Sequence, residues 1–247
     1  MIKVTNLWKY FDNVAVIEDI TVSFHKGMTN LIIGQSGSGK TVLLKCIMGL
    51  LEAEKGNILY DGQDFIKMDS AKKQLLRKEM GVLFQGGALF DSLTVEENIM
   101  FPLNMFTKYS KEEKLERVNF CLNRVNLGKV NKLYPSELSG GMKKRVAIAR
   151  AIANNPKYLF CDEPNSGLDP KTAIVIDKLI KEITEEYNIT TIINTHDMNS
   201  VMEIGARVAF IHQGKLWWEG SNNDILFSSN KELNSFVYAS ELLKKLK

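Results

Sequence analysis

The stretch Leu31-Ile32-Ile33-Gly34-Gln35-Ser36-Gly37-Ser38-Gly39-Lys40-Thr41 decides the fold. Its first three residues are a continuous apolar run, the mark of a strand buried on both faces. The next eight fit G-x-x-x-x-G-K-[ST], and a helical pattern runs on from Val42 to Leu51. Strand, glycine-rich turn and helix in that order form the setting in which such a loop cradles phosphate. The glycines Gly34, Gly37 and Gly39, interleaved with Gln35, Ser36 and Ser38, let backbone N–H groups converge on phosphate oxygens at a helix N-terminus. Lys40 then reaches the β- and γ-phosphates, and the Thr41 hydroxyl can ligate Mg²⁺.

On the N-terminal side, Met1 to Ile33 repeats with period two, clearest at Ile20, Val22 and Phe24, with punctuation at Asp12-Asn13 and Lys26-Gly27. This predicts a small sheet feeding the buried strand. On the C-terminal side a short strand, Asn57 to Tyr60, closes at the turn Asp61-Gly62. Between about Ala88 and Asn155 the pattern becomes helical, opened by the capping boxes Thr94-x-x-Glu97 and Ser110-x-x-Glu113. Leu115, Val118, Leu122 and Val125 share one helical face there. After Pro156 come a buried strand, Tyr158 to Cys161, a helix with Ile176, Leu179, Ile180 and Ile183 on one face, and a strand, Thr190 to Ile193. Next are a hairpin, Val208 to His212 and Lys215 to Trp218 around Gln213-Gly214, and an amphipathic helix carrying Leu233, Phe236, Val237, Leu243 and Leu246.

A phosphate loop needs an acidic partner at the end of a neighbouring strand, and Tyr158-Leu-Phe-Cys-Asp162-Glu163 supplies two. Asp162 suits the metal's coordination sphere. Glu163, pointing elsewhere, suits a general base that takes a proton from the attacking water. Leu138-Ser139-Gly140-Gly141-Met142 opens another helix, whose N–H groups form a second phosphate-binding end. One chain's own loop already holds the nucleotide, so this end is best used on the nucleotide of a second subunit. Alone, the same residues would be an ordinary helix cap.

Composition narrows the classes. At ~150 residues per domain, 247 residues hold one large domain or a core with a subdomain. With 45% hydrophobic and 25% charged residues, the chain is neither disordered nor fibrous. Lys plus Arg at 32 against Asp plus Glu at 29 leaves +3, which calls for no nucleic-acid partner. No apolar run approaches a membrane span, Lys45 breaking the one around Val42 to Leu44. The N-terminus lacks an export signal, and Cys46, Cys121 and Cys161 form no pattern of disulfide or metal ligation. A cytosolic chain is expected.

Taken together, these motifs resemble the ATP-binding subunit of ABC (ATP-binding cassette) transporters, from Met1 to about Gly220. The fold class so implied is α/β: a P-loop NTPase core of the ABC type with a mainly parallel sheet, a small antiparallel β subdomain and an inserted α-helical subdomain. The expected segments are 1–87 (core with β subdomain and phosphate loop), 88–155 (helical subdomain), 156–225 (core continued) and 226–247 (C-terminal amphipathic helix). By that resemblance Phe11 stacks on adenine, Gln85 links Mg²⁺ to the membrane partner, and Leu138 to Met142 is the signature. Ser166-Gly-Leu-Asp169 is then the inter-subunit loop, and His196 the switch histidine at the γ-phosphate. The resemblance implies two copies pairing head to tail around two ATP with Mg²⁺, driving a multi-span permease dimer from the cytoplasmic face of the inner membrane.

Within the family, Phe84-Gln85-Gly86-Gly87-Ala88-Leu89-Phe90 and Met142, where most members carry Gln, resemble the Mla (maintenance of lipid asymmetry) branch. That branch implies phospholipid as cargo and an MCE-domain protein as further partner. The alternatives are an ABC subunit serving amino acids, metals or lipoprotein, which shares every ATP motif, and a cell-division ATPase of the same family. The apolar runs Ala88 to Phe90 and Met100 to Phe106 suit a permease contact or the insertion's own core.

Overall fold

The computed structural model describes residues 1–238. In chain order the elements are β1 (Ile2–Phe11), β2 (Val14–Phe24), β3 (Thr29–Ile33), α1 (Lys40–Ile47), β4 (Lys55–Tyr60), β5 (Gln63–Asp64), α2 (Ser70–Lys78), β6 (Met80–Leu83), α3 (Val95–Phe106) and α4 (Lys111–Arg124). After a 3-10 turn at Pro135–Glu137 come α5 (Gly140–Ile152), β7 (Tyr158–Asp162), α6 (Pro170–Glu186), β8 (Thr190–Thr195), α7 (Met198–Ile204), β9 (Arg207–His212), β10 (Lys215–Gly220), α8 (Asn222–Ile225) and α9 (Lys231–Val237). They divide into two compact units, Met1–Asp69 with the chain from Thr190 onward, and Ser70–Ile189.

In the first unit β3 is buried at every residue and lies parallel to both β8 and β9, while β10 returns antiparallel on β9. Asn30 is tolerated inside β3 because its side chain is fully engaged. Its amide donates to the carbonyls of His25, Met28 and Thr191, and its oxygen accepts from His25 N–H. The antiparallel sheet runs β2-β1-β4-β5. Ile2, Val4 and Leu7 of β1 are fully buried, the alternation slipping at Asn6, which adopts a φ of 47°. Its amide donates to Asp19 Oδ1 at 2.8 Å, and Asp19 too has a positive φ, so the two short polar residues carry a bulge across β1 and β2.

Helix α1 stops at Ile47, short of the Leu51 that periodicity suggests. Gly49 turns left-handed at φ 69°, its N–H donates to Cys46 O, and the Phe65 ring stands 2.3 Å from where a Cβ would be. At the other end of the unit α9 buries Leu233 and Val237, and the Phe236 ring lies 5.5 Å from that of Phe210. Leu243 and Leu246 lie outside the described residues.

In the second unit β6 and β7 pair in parallel, Met80 opposite Tyr158 through Leu83 opposite Cys161. Both expected capping boxes form. Thr94 N–H donates to Glu97 Oε2 at 2.8 Å and Ser110 N–H to Glu113 Oε2 at 2.6 Å, each answered by the reciprocal bond. Helix α6 buries Ile176, Leu179, Ile180 and Ile183. On α4, Val118 and Leu122 are buried, as is Val125 beyond its end, and Cys121 joins them. Leu115 does not: it is 36% exposed, in a charged first stretch of α4 that faces water, and burial begins only at Val118. Among the described residues no helix is long and apolar enough to cross a membrane.

Leu122→Ala should therefore cost about 2–5 kcal/mol of unfolding free energy. Leu115→Ala, on the same helical face, should stay within about 0.5 kcal/mol. Urea denaturation of the two variants checks the contrast.

Candidate active site

The first unit holds the phosphate loop, Phe11 and His196. Gly34 has a φ of 150°, Gly37 78° and Gly39 104°. At Gly34 a Cβ would lie 2.2 Å from the Ile211 carbonyl oxygen, and at Gly39 2.9 Å from that of Val16, so both positions are closed to larger residues by backbone. Lys40 is 6% exposed and folds back across the loop, its ammonium donating to the carbonyls of Gly34 and Gln35 at 2.9 Å each. Ser38 O accepts from Gly214 N–H in the β9–β10 turn, and Gly214 O from Glu18 N–H, which brace the loop from outside.

Gly39 is the residue before α1, and no side chain caps that helix start, nor does an acid sit in its first turn. The Ser38 hydroxyl is buried without a hydrogen-bond partner. Both features suit a ligand that brings its own negatively charged oxygens. Phe11, at the end of β1, is 43% exposed with the Lys9 ammonium 5.2 Å from its ring centroid, so it is no core aromatic. His196 is exposed immediately after the buried β8.

The second unit holds the acids. Tyr158, Leu159, Phe160 and Cys161 are buried along β7, and Asp162 and Glu163 emerge half-exposed at its end. Glu163 adopts a left-handed φ of 47°, a conformation uncommon for a residue with a Cβ. Gln85 Nε2 donates to Glu163 Oε2 at 3.1 Å, bringing together two residues 78 positions apart. Asn165 donates to Asp177 Oδ1 at 2.7 Å, tying the loop after Glu163 to α6. Neither Asn165 nor Asp177 carries a sequence signal. Nor does Lys144, which is 4% exposed and whose ammonium has no hydrogen-bond partner. Burial holds its pKa below the usual lysine range, against the opposing pull of Cys161 and Glu163.

Ser139 caps α5, its hydroxyl accepting from Met142 N–H at 3.3 Å, and Gly140 and Gly141 form the first turn. A Cβ on Gly141 would stand 2.8 Å from Thr172 Cγ2 on α6. Asp169 caps α6 through Lys171 and Thr172 N–H groups. The Thr172 hydroxyl and these N–H bonds hold its carboxyl below the usual range. Among the described residues no cluster of three His, Cys, Asp or Glu could cage a metal. Thr41 in the first unit and Asp162 in the second each carry a hard oxygen, the donor type that Mg²⁺ takes, an ion that uses few protein ligands and completes its sphere with water and substrate phosphate.

Gly34→Ala should abolish triphosphate binding while the rest of the first unit stays folded, because the added methyl collides with a fixed carbonyl. Equilibrium titration with a fluorescent ATP analogue, alongside a circular dichroism spectrum, measures both.

The sequence profile described as "ABC transporter" matches residues 17–166. The methionine import ATP-binding protein MetN of Desulfitobacterium hafniense is 41% identical over 254 residues, covering 100% of this chain and 74% of that one. That of Campylobacter jejuni is 38% identical, covering 98% and 77%. Among solved structures, the dimeric post-hydrolysis state of the ATP-binding cassette MJ0796, bound to ADP and Pi, superposes with a TM-score of 0.81 at 31% identity, covering 90% of this chain and 99% of that one. Clostridium perfringens cbiO1, part of the transporter complex cbiONQ, gives 0.85 at 27% identity, covering 99% and 98%. A glycine loop closed by its own lysine, a strand ending in two acids and matches of this extent leave one assignment: the chain belongs to the ABC transporter family, as an ATP-hydrolysing, ATP-binding subunit with the ABC ATPase fold.

Proposed function

We propose that this chain powers a membrane permease from its cytoplasmic face, two copies enclosing two ATP between them. The observation that carries the hydrolytic part is the Gln85–Glu163 hydrogen bond at the end of β7. Glu163 accepts the proton of the attacking water, and the Gln85 amide holds its carboxylate in position. Lys40 and the loop N–H groups hold the β- and γ-phosphates, Phe11 stacks on adenine, and His196 meets the γ-phosphate. Thr41, Gln85 and Asp162 serve Mg²⁺, which when bound offsets phosphate charge. Ser139, Gly140 and Gly141 act on the partner copy's nucleotide, and Asp169 lies in the loop that passes between copies. The dimeric state of MJ0796 supports the pairing.

For the cargo, the comparisons favour the amino-acid alternative over phospholipid: the two relatives named above import methionine, at 41% and 38% identity. We therefore read the chain first as the ATPase of an amino-acid importer. The lipid reading, with its MCE-domain partner, rests on Met142 and on residues 84–90. The Phe90 and Phe101 rings, 4.8 Å apart and each about two-fifths exposed, with Met105 60% exposed, suit the permease contact in either case. The small net charge of +3 supports a function without nucleic acid.

Extraction of native membranes in mild detergent, capture of this chain and mass spectrometry of its co-purifying proteins should identify a multi-span permease. A solute-binding protein beside it supports amino-acid import; an MCE-domain protein with phospholipid reverses that choice. Capture without any permease contradicts the transporter reading.

A further inference from the structure

The loop that carries Gln85 has an unusual path. Gly86, Gly87 and Ala88 all take positive φ, at 79°, 83° and 46°. Gly86 and Gly87 take this conformation freely, so nothing intrinsic fixes their path, and for Ala88, which carries a Cβ, it is unfavourable and needs support from neighbours. Their own backbone supplies only the Gly87 N–H to Phe84 O bond at 2.8 Å. The remaining restraint comes from a residue more than sixty positions along the chain. Arg150, in the last turn of α5, donates from Nη2 to Gly87 O at 2.8 Å and from Nη1 to Ala88 O at 2.9 Å. Its guanidinium also lies 5.8 Å from the centroid of Phe90. A Cβ on Gly87 would stand 3.5 Å from Ala147 Cβ, so the loop lies directly on α5.

The far end of the loop is pinned independently. Asn98 of α3, fully buried, accepts from Phe90 N–H and donates to the carbonyls of Phe90, Leu93 and Thr94. Arg150 thus decides where the near end goes, and the near end carries the amide that reaches Glu163. A planar fork bonded to two consecutive carbonyls fixes both position and orientation, which a single ammonium does not.

We infer that Arg150 is a positioning residue for hydrolysis: it fixes the Gln85 loop onto the helix that begins at Ser139, and so holds the Gln85 amide against Glu163. This rests on the reading of Gln85 and Glu163 given above. It adds that the Gln85 loop is joined to this helix at the helix's C-terminal turn.

The test is a double-mutant cycle on ATP hydrolysis by the full-length chain, with Gln85→Ala, Arg150→Met and both together. Gln85→Ala should lower kcat about tenfold, and Arg150→Met by a similar factor with KM for ATP within about twofold of wild type. The double variant should be no slower than Gln85→Ala alone, because Arg150 acts through the amide already removed. Arg150→Lys should recover only part of the loss, and it takes the place of Arg150→Met in the cycle if that variant does not fold. Multiplying effects in the double variant, or an Arg150→Met enzyme with wild-type kcat, overturns the positioning role. An unchanged kcat in Gln85→Ala instead overturns the underlying reading of the site, and the inference falls with it.

Discussion

The structure depends first on a constraint of exclusion: there is no room for a side chain at Gly34 or Gly39. The Ile211 and Val16 carbonyls occupy the space where a Cβ would go. The loop can therefore wrap tightly enough for Lys40 to close it from within, donating to Gly34 O and Gln35 O. Buried in this way, the ammonium has its cost of desolvation offset by two carbonyls. It remains beside backbone that turns its N–H groups toward an anion. The proposed phosphate site is thus local to residues 34–41, and the surrounding strands serve to hold that path.

The residues proposed for hydrolysis are held differently in the second unit. There the critical groups are far apart in sequence and are brought together by packing: Gln85 meets Glu163, and Asn165 meets Asp177. Glu163 itself, and Ala88 three residues after Gln85, take a left-handed φ that a residue with a Cβ adopts only at a cost. Strain of this kind persists only where neighbours over-determine it, and Arg150 and Asn98 do so for the loop. Under the proposed mechanism, the first unit holds the ligand and the second orients the proton acceptor.

This difference explains what can be read from the residues alone. The phosphate loop, both capping boxes, the buried β7 and the apolar face of α6 are local patterns with fixed spacing, and each stands where the pattern puts it. Strand β6 is not legible because Gly81 sits in a four-residue element, required there by the Ala151 carbonyl 2.3 Å from its missing Cβ. Helix α2 escapes detection because only Leu76 of its nine residues is buried, leaving no apolar periodicity. The Arg150 bonds end on backbone carbonyls, which every residue has, so no spacing announces them. Leu115 fits the helical period yet faces water, since periodicity names a face and not where along the helix the core begins. The aromatic and methionine pattern at residues 84–90 and 142 resembles the lipid branch, whereas the relatives matched over nearly the whole chain are named for methionine import; neither signal is a contact with cargo, so neither is a physical reading of it.

The proposed division between a loop that binds ATP and a separate acid that hydrolyses it predicts that the two are separable by mutation, and Glu163→Gln tests this most directly. The substitution keeps the side chain's size and an oxygen to accept from Gln85 while removing the group that takes the proton. Rapid-quench measurement of ATP cleavage should show hydrolysis lowered at least about a hundredfold, with ATP bound as tightly as by the unaltered chain. Cleavage at the unaltered rate would contradict the assignment of Glu163 as the base.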